Sequence, residues 1–400
     1  ICGTKMIADG QNIPFATFLG FNAEKIPDID LNFPSDYQQK AHDSTKDIFG
    51  EHNVFRAGTI GTVEEKTAFG YVKGYYEKKF HLDSKKGEDI FTRVSRNDVA
   101  YLASKCVGVK RTTGQHAGGV MILPKGRSIY EFTPVQYPAD DKESSWLTTH
   151  YEYRAIHDSL LKLDLLGHVD PLALRLMSEL TGIDVHDIPM NDRDVISIFT
   201  SIRALKMKSN VLDAKTGSLA IPEFGTTTAI QTLVETQPHS FSDLVIISGL
   251  SHGTGVWAGN AEKLIVSGEK TLREVIGCRD DIMISLSSWG IDKSDAFKIM
   301  EFVRQGKPCK DPATWAEHAQ FMTEHNIPEW YIESCHKIKY MFPKAHACAY
   351  VMSAIRIAWF KVYKPIYYYA AYFSIRSDDF DIETMTKGYD AIKSNMEDIK

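Results

Sequence analysis

Two short segments of this 400-residue chain alternate so strictly between apolar and charged residues that both read as strands carrying a polar face. In Pro27-Asp28-Ile29-Asp30-Leu31-Asn32-Phe33, the strand period puts Asp28, Asp30 and Asn32 on one face and Ile29, Leu31 and Phe33 on the other. In Leu161-Lys162-Leu163-Asp164-Leu165 the leucines point one way, and Lys162 and Asp164 the other. Laid side by side, the two segments bring three carboxylates and an ammonium together. Hard oxygen ligands of this kind suit magnesium, and the set suits two-metal phosphoryl transfer on a nucleotide. Plainer readings stay open at this point. Asp28 and Asp30 would also fit the solvated face of an edge strand, and Lys162 and Asp164, set among leucines, could simply neutralise each other.

The length exceeds what one hydrophobic core usually supports, so two or three subdomains are expected. No apolar run is long enough to cross a bilayer and no signal peptide is evident, so the expected location is the cytoplasm, with no membrane partner. Cys2, Cys106, Cys278, Cys309, Cys335 and Cys348 are scattered without a Cys-x-x-Cys pair, which argues against a disulfide framework or a complete structural zinc site. The formal charge of −6 counts against nucleic-acid binding only on average, because electrostatic footprints are local. From Ser334 to Ser377 there is no acid, yet Lys337, Lys339, Lys344, Arg356, Lys361, Lys364 and Arg376 fall there. A second acid-free window, Val99 to Tyr130, holds Lys105, Lys110, Arg111, Lys125 and Arg127. Two cationic surfaces on an acidic protein are expected. Ile1 in place of Met, and Lys400 inside a polar helix-like pattern, read as a piece of a longer protein.

A helix is expected from about Tyr37 to Phe49. Gly58-Thr59-Ile60-Gly61-Thr62 reads as a flexible turn before a helical run; its amides could hold a phosphate, or Thr62 could simply cap the helix. Val109 to Gly119, with two cations, two hydroxyls and three glycines, reads as a loop able to follow a phosphate backbone, or as a hydrated turn. His116 within it could be a ligand, although a lone histidine is commonly structural. Beyond Gly167 the chain becomes mostly helical, with turns at Ile221–Gly225 and Gly249–Gly255. Arg279 stands at an expected helix start, where it could clamp a triphosphate or pair with Asp280 and Asp281. The aromatics interleaved with the last cations suit either a nucleic-acid surface or a core helix with snorkelling cations.

Together these segments resemble the C-family bacterial replicative DNA polymerases, of the PolC-type DNA polymerase III alpha kind. The likeness rests on Pro27 to Phe33, Phe55 to Thr62, Val109 to Gly119, Leu160 to His168, Ile221 to Thr226, Gly249 to Thr254, Gly277 to Met283, Pro328 to Trp330 and Lys339 to Tyr350, in that order across nearly the whole chain. The resemblance implies an α+β fold: a polymerase-beta-like mixed-sheet palm, an inserted helical thumb and largely helical fingers. Its parts would be palm at 1–57 and 113–170, thumb at 58–112 and fingers at 171–400. It implies template-directed nucleotidyl transfer from dNTP to a primer 3′-hydroxyl in bacterial chromosome replication. Asp28, Asp30 and Asp164 would be the catalytic carboxylates holding two Mg2+ ions. Lys162, Arg279, Lys339, Lys344 and His346 would contact nucleotide or phosphate, and Lys110, Arg111, Lys337 and Arg356 would contact DNA.

The resemblance further implies primer–template DNA and dNTP as partners, and a sliding clamp and other replisome subunits reached through regions outside this chain. The family's glycine-serine triphosphate motif, PHP and exonuclease regions would lie outside it too, so the piece alone is expected to be close to inactive. Cys2 looks like the last knuckle of a zinc ribbon. Gly255 and Val169 stand where acids are expected, and Cys348 where alanine is. Two alternatives remain: a truncated piece that only binds DNA, or another Asp-x-Asp magnesium-dependent nucleotidyl- or glycosyltransferase.

Overall fold

The computed structural model describes residues 13–21, 29–82, 87–138, 141–156, 159–207 and 213–377. It is a mixed α+β protein. The chain divides into two compact units, Asp28–Gly167 and a second made of Ile1–Pro27 with His168–Lys400.

The first unit is built on one six-stranded sheet, ordered β1 (Ile29–Pro34), β6 (Leu161–His168), β3 (Lys110–Ile122), β2 (Val54–Thr62), β5 (Thr148–Glu152) and β4 (Val135–Gln136). β2 and β5 run parallel; β2–β3, β3–β6 and β4–β5 are antiparallel. Alternation buries both faces. Val54, Val120, Ile122, Leu163 and Leu165 pack on one side with Ala41 of the helix Gln38–Phe49, whereas Phe55, Ala57, Met121, Leu123 and Leu160 pack on the other. The two carboxylate strands are neighbours. Ile29 and Phe33 pack inward as the alternation requires, but Leu31 is 40% exposed, because β1 is the edge strand.

The residues expected as a turn, Gly58–Thr62, instead pair as an arm of β2 with Lys110–Gln115 of β3, part of the segment expected as the loop Val109–Gly119. The reason is close packing. A Cβ at Gly58 would lie 2.0 Å from the Thr149 carbonyl oxygen, and one at Gly61 2.5 Å from Thr112 Oγ1. The glycines and threonines admit neighbouring backbone rather than a bend. The arms lead into the helices Glu65–Lys79 and Arg96–Cys106, which share a small core of Val63, Ala68, Val72, Ile90, Val99 and Ala103. Thr62 does not cap the first of these: Glu64 is the N-cap residue, and it makes no side-chain cap bond.

The second unit is helical around one extended core. Its helices include Val169–Thr181, Phe241–His252, Arg279–Ser288, Lys344–Tyr363 and Pro365–Ile375. Inside it, Lys361 is 6% exposed and its Nζ donates to the carbonyls of Gly217 and Leu219, at 2.8 and 2.5 Å. Burial pushes this ammonium's pKa down to about 7. Tyr368 Oη donates to the Ala220 carbonyl of the same turn at 2.7 Å. No helix among the described residues is long and apolar enough to cross a membrane.

Candidate functional site

Strand β6 places Lys162 and Asp164 two residues apart, hence on one face, with side chains 14% and 19% exposed. Lys162 Nζ donates to Asp164 Oδ2 and lies 4.5 Å from the centre of the Tyr153 ring, a cation–π contact that holds the ammonium low over the sheet. The other oxygen, Asp164 Oδ1, is buried and has no hydrogen-bond partner. Lys162 and Asp164 thus neutralise each other only in part. A carboxylate oxygen out of water without a donor is costly, and a cation or a substrate proton relieves that cost.

His116 explains why Oδ1 is left bare. Its Nδ1 is 3.5 Å from Oδ1, close enough to suggest an ion pair. Yet the amides of Gly119 and Gly118 donate to that same Nδ1, at 2.8 and 3.3 Å. A nitrogen accepting two N–H groups carries no proton. Burial, first, and the charges of Lys162 and Arg56 push the His116 pKa down, against the pull of Asp164 and Asp30. The ring is therefore neutral, with its proton on Nε2. Its edge meets the Tyr153 ring, centroids 5.5 Å apart.

The geometry depends on Gly119, which pairs with Asp164 across β3–β6. A Cβ there would lie 2.8 Å from Ala57 Cβ and 2.9 Å from His116 Nδ1. Asp30 lies exposed on β1, beside β6, and its charge reaches His116. Asp28 lies outside the described residues. Among the described residues no group of three His, Cys, Asp or Glu side chains is placed to hold a metal ion. Asp30 and the bare oxygen of Asp164 are hard-oxygen donors on adjoining strands, the ligand type magnesium takes.

Lys110 and Arg111 open β3 and are exposed; Lys110 Nζ is 3.4 Å from His150 Nε2. Arg279, Lys337, Lys339, Lys344, His346 and Arg356 belong to the second unit. There Arg279, Lys344 and His346 gather where two helices begin. The Arg279 amide donates to the Phe342 carbonyl at 3.1 Å, and its buried guanidinium to the Thr17 carbonyl at 3.4 Å. The Lys344 amide donates to Asp280 Oδ2 at 2.6 Å and its Nζ to Asp281 Oδ1. Burial opposes the Lys344 charge, but Asp281 more than offsets this and its pKa is raised. His346 stacks on Phe342, centroids 4.9 Å apart; burial, then the charge of His252, bring its pKa down to about 4. Lys339 is exposed, and its amide donates to the Thr254 carbonyl at 2.8 Å. Lys337 meets Glu333 at 3.8 Å, and half-buried Arg356 sits within electrostatic reach of Asp184.

The acid-free window at the end of the chain is therefore not a free cationic surface. Lys361 is buried, and acids far off in sequence meet two of the others, Asp281 for Lys344 and Asp170 for Arg376 at 3.6 Å, while Lys339 and Lys364 stay exposed. Sequence reasoning also passed over Tyr153, Arg56 and the pair of Glu223 Oε2 with His252 Nε2 at 2.7 Å. Glu223 stands in a turn and His252, expected in the turn Gly249–Gly255, instead ends the helix Phe241–His252; the glycines beside them signal close packing and name no partner.

The families described as the bacterial DNA polymerase III alpha NTPase domain and the bacterial DNA polymerase III alpha subunit finger domain match residues 4–167 and 170–326. The chain belongs to the bacterial DNA polymerase III alpha family. It is 54% identical over 398 residues to the DNA polymerase III PolC-type of Oceanobacillus iheyensis, and 54% over 399 residues to that of Bacillus subtilis. Both alignments take in the whole chain and 27% of the relative, so the chain spans about a quarter of the length of these curated relatives.

Proposed function

We propose that this chain carries the core of a DNA-directed DNA polymerase of bacterial replication, with Asp28, Asp30 and Asp164 as its catalytic, metal-holding carboxylates. The observation that carries the reading is the bare, buried Oδ1 of Asp164 on a strand adjoining the one that carries Asp30. Family membership supports it. Two Mg2+ ions, when bound, supply acidification of the primer 3′-hydroxyl and charge neutralisation along the triphosphate. Asp30 and Asp164 offer hard oxygens from a rigid sheet, so the donor positions are fixed before substrate arrives. Lys162 holds the second oxygen of Asp164 and keeps its remaining protons for a phosphate oxygen. His116, neutral, offers one N–H and no competing charge.

In this reading the sheet is a palm like that of polymerase beta, the insertion at 58–112 is the thumb, and 171–400 are the fingers. Arg279, Lys339, Lys344 and His346 serve the incoming nucleotide or template; Lys110, Arg111, Lys337 and Arg356 serve the DNA backbone. Primer–template DNA and dNTP are the substrates, and replisome partners, a sliding clamp among them, are reached through other parts of the protein. The test is primer extension by the complete polymerase carrying Asp164→Ala. Extension should vanish while primer–template binding is largely kept; extension at the wild-type rate would refute the assignment.

A further inference from the structure

Strands β2 and β3 pair in one register from Val54–Ile122 to Arg56–Val120, and in another from Gly58–Gln115 onward. Ala57 alone therefore stands opposite His116, Ala117, Gly118 and Gly119. A bulge of this size frees carbonyls from the ladder, and buried carbonyls need donors. Arg56 is the main donor, with Gln38 Nε2 also reaching the Ala117 carbonyl at 3.3 Å. Its Nη2 donates to the carbonyls of His116 at 3.0 Å and Ala117 at 2.9 Å, while Nη1 donates to Nδ1 of His42 on the helix Gln38–Phe49. Arg56 is 8% exposed and lies on the face of Val54, away from the face bearing Lys162 and Asp164. His42 stays an acceptor, because burial first and then the Arg56 charge keep its pKa down.

We infer that Arg56 is a positioning residue of the carboxylate site: from the back of the sheet it closes the β3 bulge and so sets the His116 ring beside Asp164. The planar fork is what the task requires, since one guanidinium can bind two successive carbonyls and a third acceptor behind them. Lysine would keep the charge and lose the fork. With the bulge unpinned, the Gly118 and Gly119 amides no longer converge on Nδ1. That nitrogen then becomes able to carry the proton and cap Asp164 Oδ1, the oxygen the site keeps bare.

The inference rests on the polymerase reading, and the experiment separates the two. The complete polymerase is prepared with Arg56→Lys, His116→Asn, both together, and Asp164→Ala, and single-turnover extension and primer–template binding are measured. In parallel, imidazole 15N shifts of the 400-residue chain at fixed pH report the His116 tautomer, assigned by the signal lost in His116→Asn. Arg56→Lys should slow extension by about 10²-fold, as expected for a displacement near 1 Å at a reacting centre, with DNA binding kept. In the His116→Asn background it should add no more than about twofold, the signature of one residue acting through another. The His116 15N pattern should leave the Nε2–H form.

Independent, multiplying losses, or an unchanged His116 signal in Arg56→Lys, would overturn the inference. Should Arg56→Lys fail to fold, His42→Gln loosens the same guanidinium from behind and is read by the same two criteria. If Asp164→Ala leaves extension intact, the site reading falls, while the 15N arm still decides what Arg56 does.

Discussion

Gly119→Ala separates the fold from the site in a single methyl group. The added carbon would lie 2.8 Å from Ala57 Cβ and 2.9 and 3.1 Å from His116 Nδ1 and Cβ. Carbon–carbon contacts settle at about 3.5–4.0 Å, so close to 1 Å must be found. Ala57 cannot supply it, being fully buried on a strand paired on both sides. The His116 ring must therefore move, giving up the 2.8 Å bond from the Gly119 amide. Overpacking of this kind destabilises by about 1–3 kcal/mol, and the lost bond by about 1 kcal/mol more. Together these lower the melting temperature of the sheet unit by about 5–15 °C. Extension by the complete polymerase should fall by about 10²-fold, because the ring is displaced from Asp164. Adding Ala57→Gly removes one of the two collisions, so the double variant should recover part of the melting temperature and little of the activity. Differential scanning calorimetry and single-turnover extension read the two effects separately. A Gly119→Ala protein that melts and extends like wild type would show that the gap over Gly119 is not what seats His116.

Two further outcomes concern the helical unit. For Lys361 the native pKa of about 7 lies below the ordinary 10.5, so the burial penalty is fully present below pH 7. As pH rises through 7 the native state sheds its proton before the unfolded state does, and stability rises. Between pH 6 and 9 wild type should gain about 3 kcal/mol relative to Lys361→Met, read from urea midpoints; a flat or falling difference would contradict the burial argument. At His252, burial lowers the pKa but the hydrogen bond and charge of Glu223 more than offset it, leaving it raised. The stability from this pair is present below the ordinary value of 6.5 and lost as pH rises through the raised one. Glu223→Gln should therefore bring the His252 titration below 6.5, followed by histidine carbon NMR; an unmoved titration would mean that Glu223 does not hold this ring.

The carboxylate strands were legible because period-two alternation is a local signal that tertiary structure seldom overrules, and the helix expected from about Tyr37 to Phe49 runs from Gln38 to Phe49. What local sequence could not carry was partner identity. Gly58 to Thr62 has the composition of a turn, and only the Thr149 carbonyl 2.0 Å from a would-be Cβ shows why glycine sits inside a strand. Lys344 and Arg376 look unopposed in a window free of acids, yet Asp281 and Asp170 meet them from far off along the chain. Arg56 carried no periodic signal of a role: an isolated arginine in a strand looks the same whether it faces solvent or pins a bulge.

The shift of register at Ala57 also has a mechanical side. Beyond it, Thr59–Thr62 and Lys110–Gly114 form a two-stranded ribbon about 10 Å long, at roughly 3.3 Å per residue, and past its end runs the helix Glu65–Lys79, about 22 Å in length. The bulge is thus the fulcrum of a long arm. A rotation of about 5° there, too slight to break a hydrogen bond, sweeps the ribbon's tip through about 1 Å and the far end of the helix through about 3 Å. The guanidinium that seats one histidine also sets the stiffness of that fulcrum.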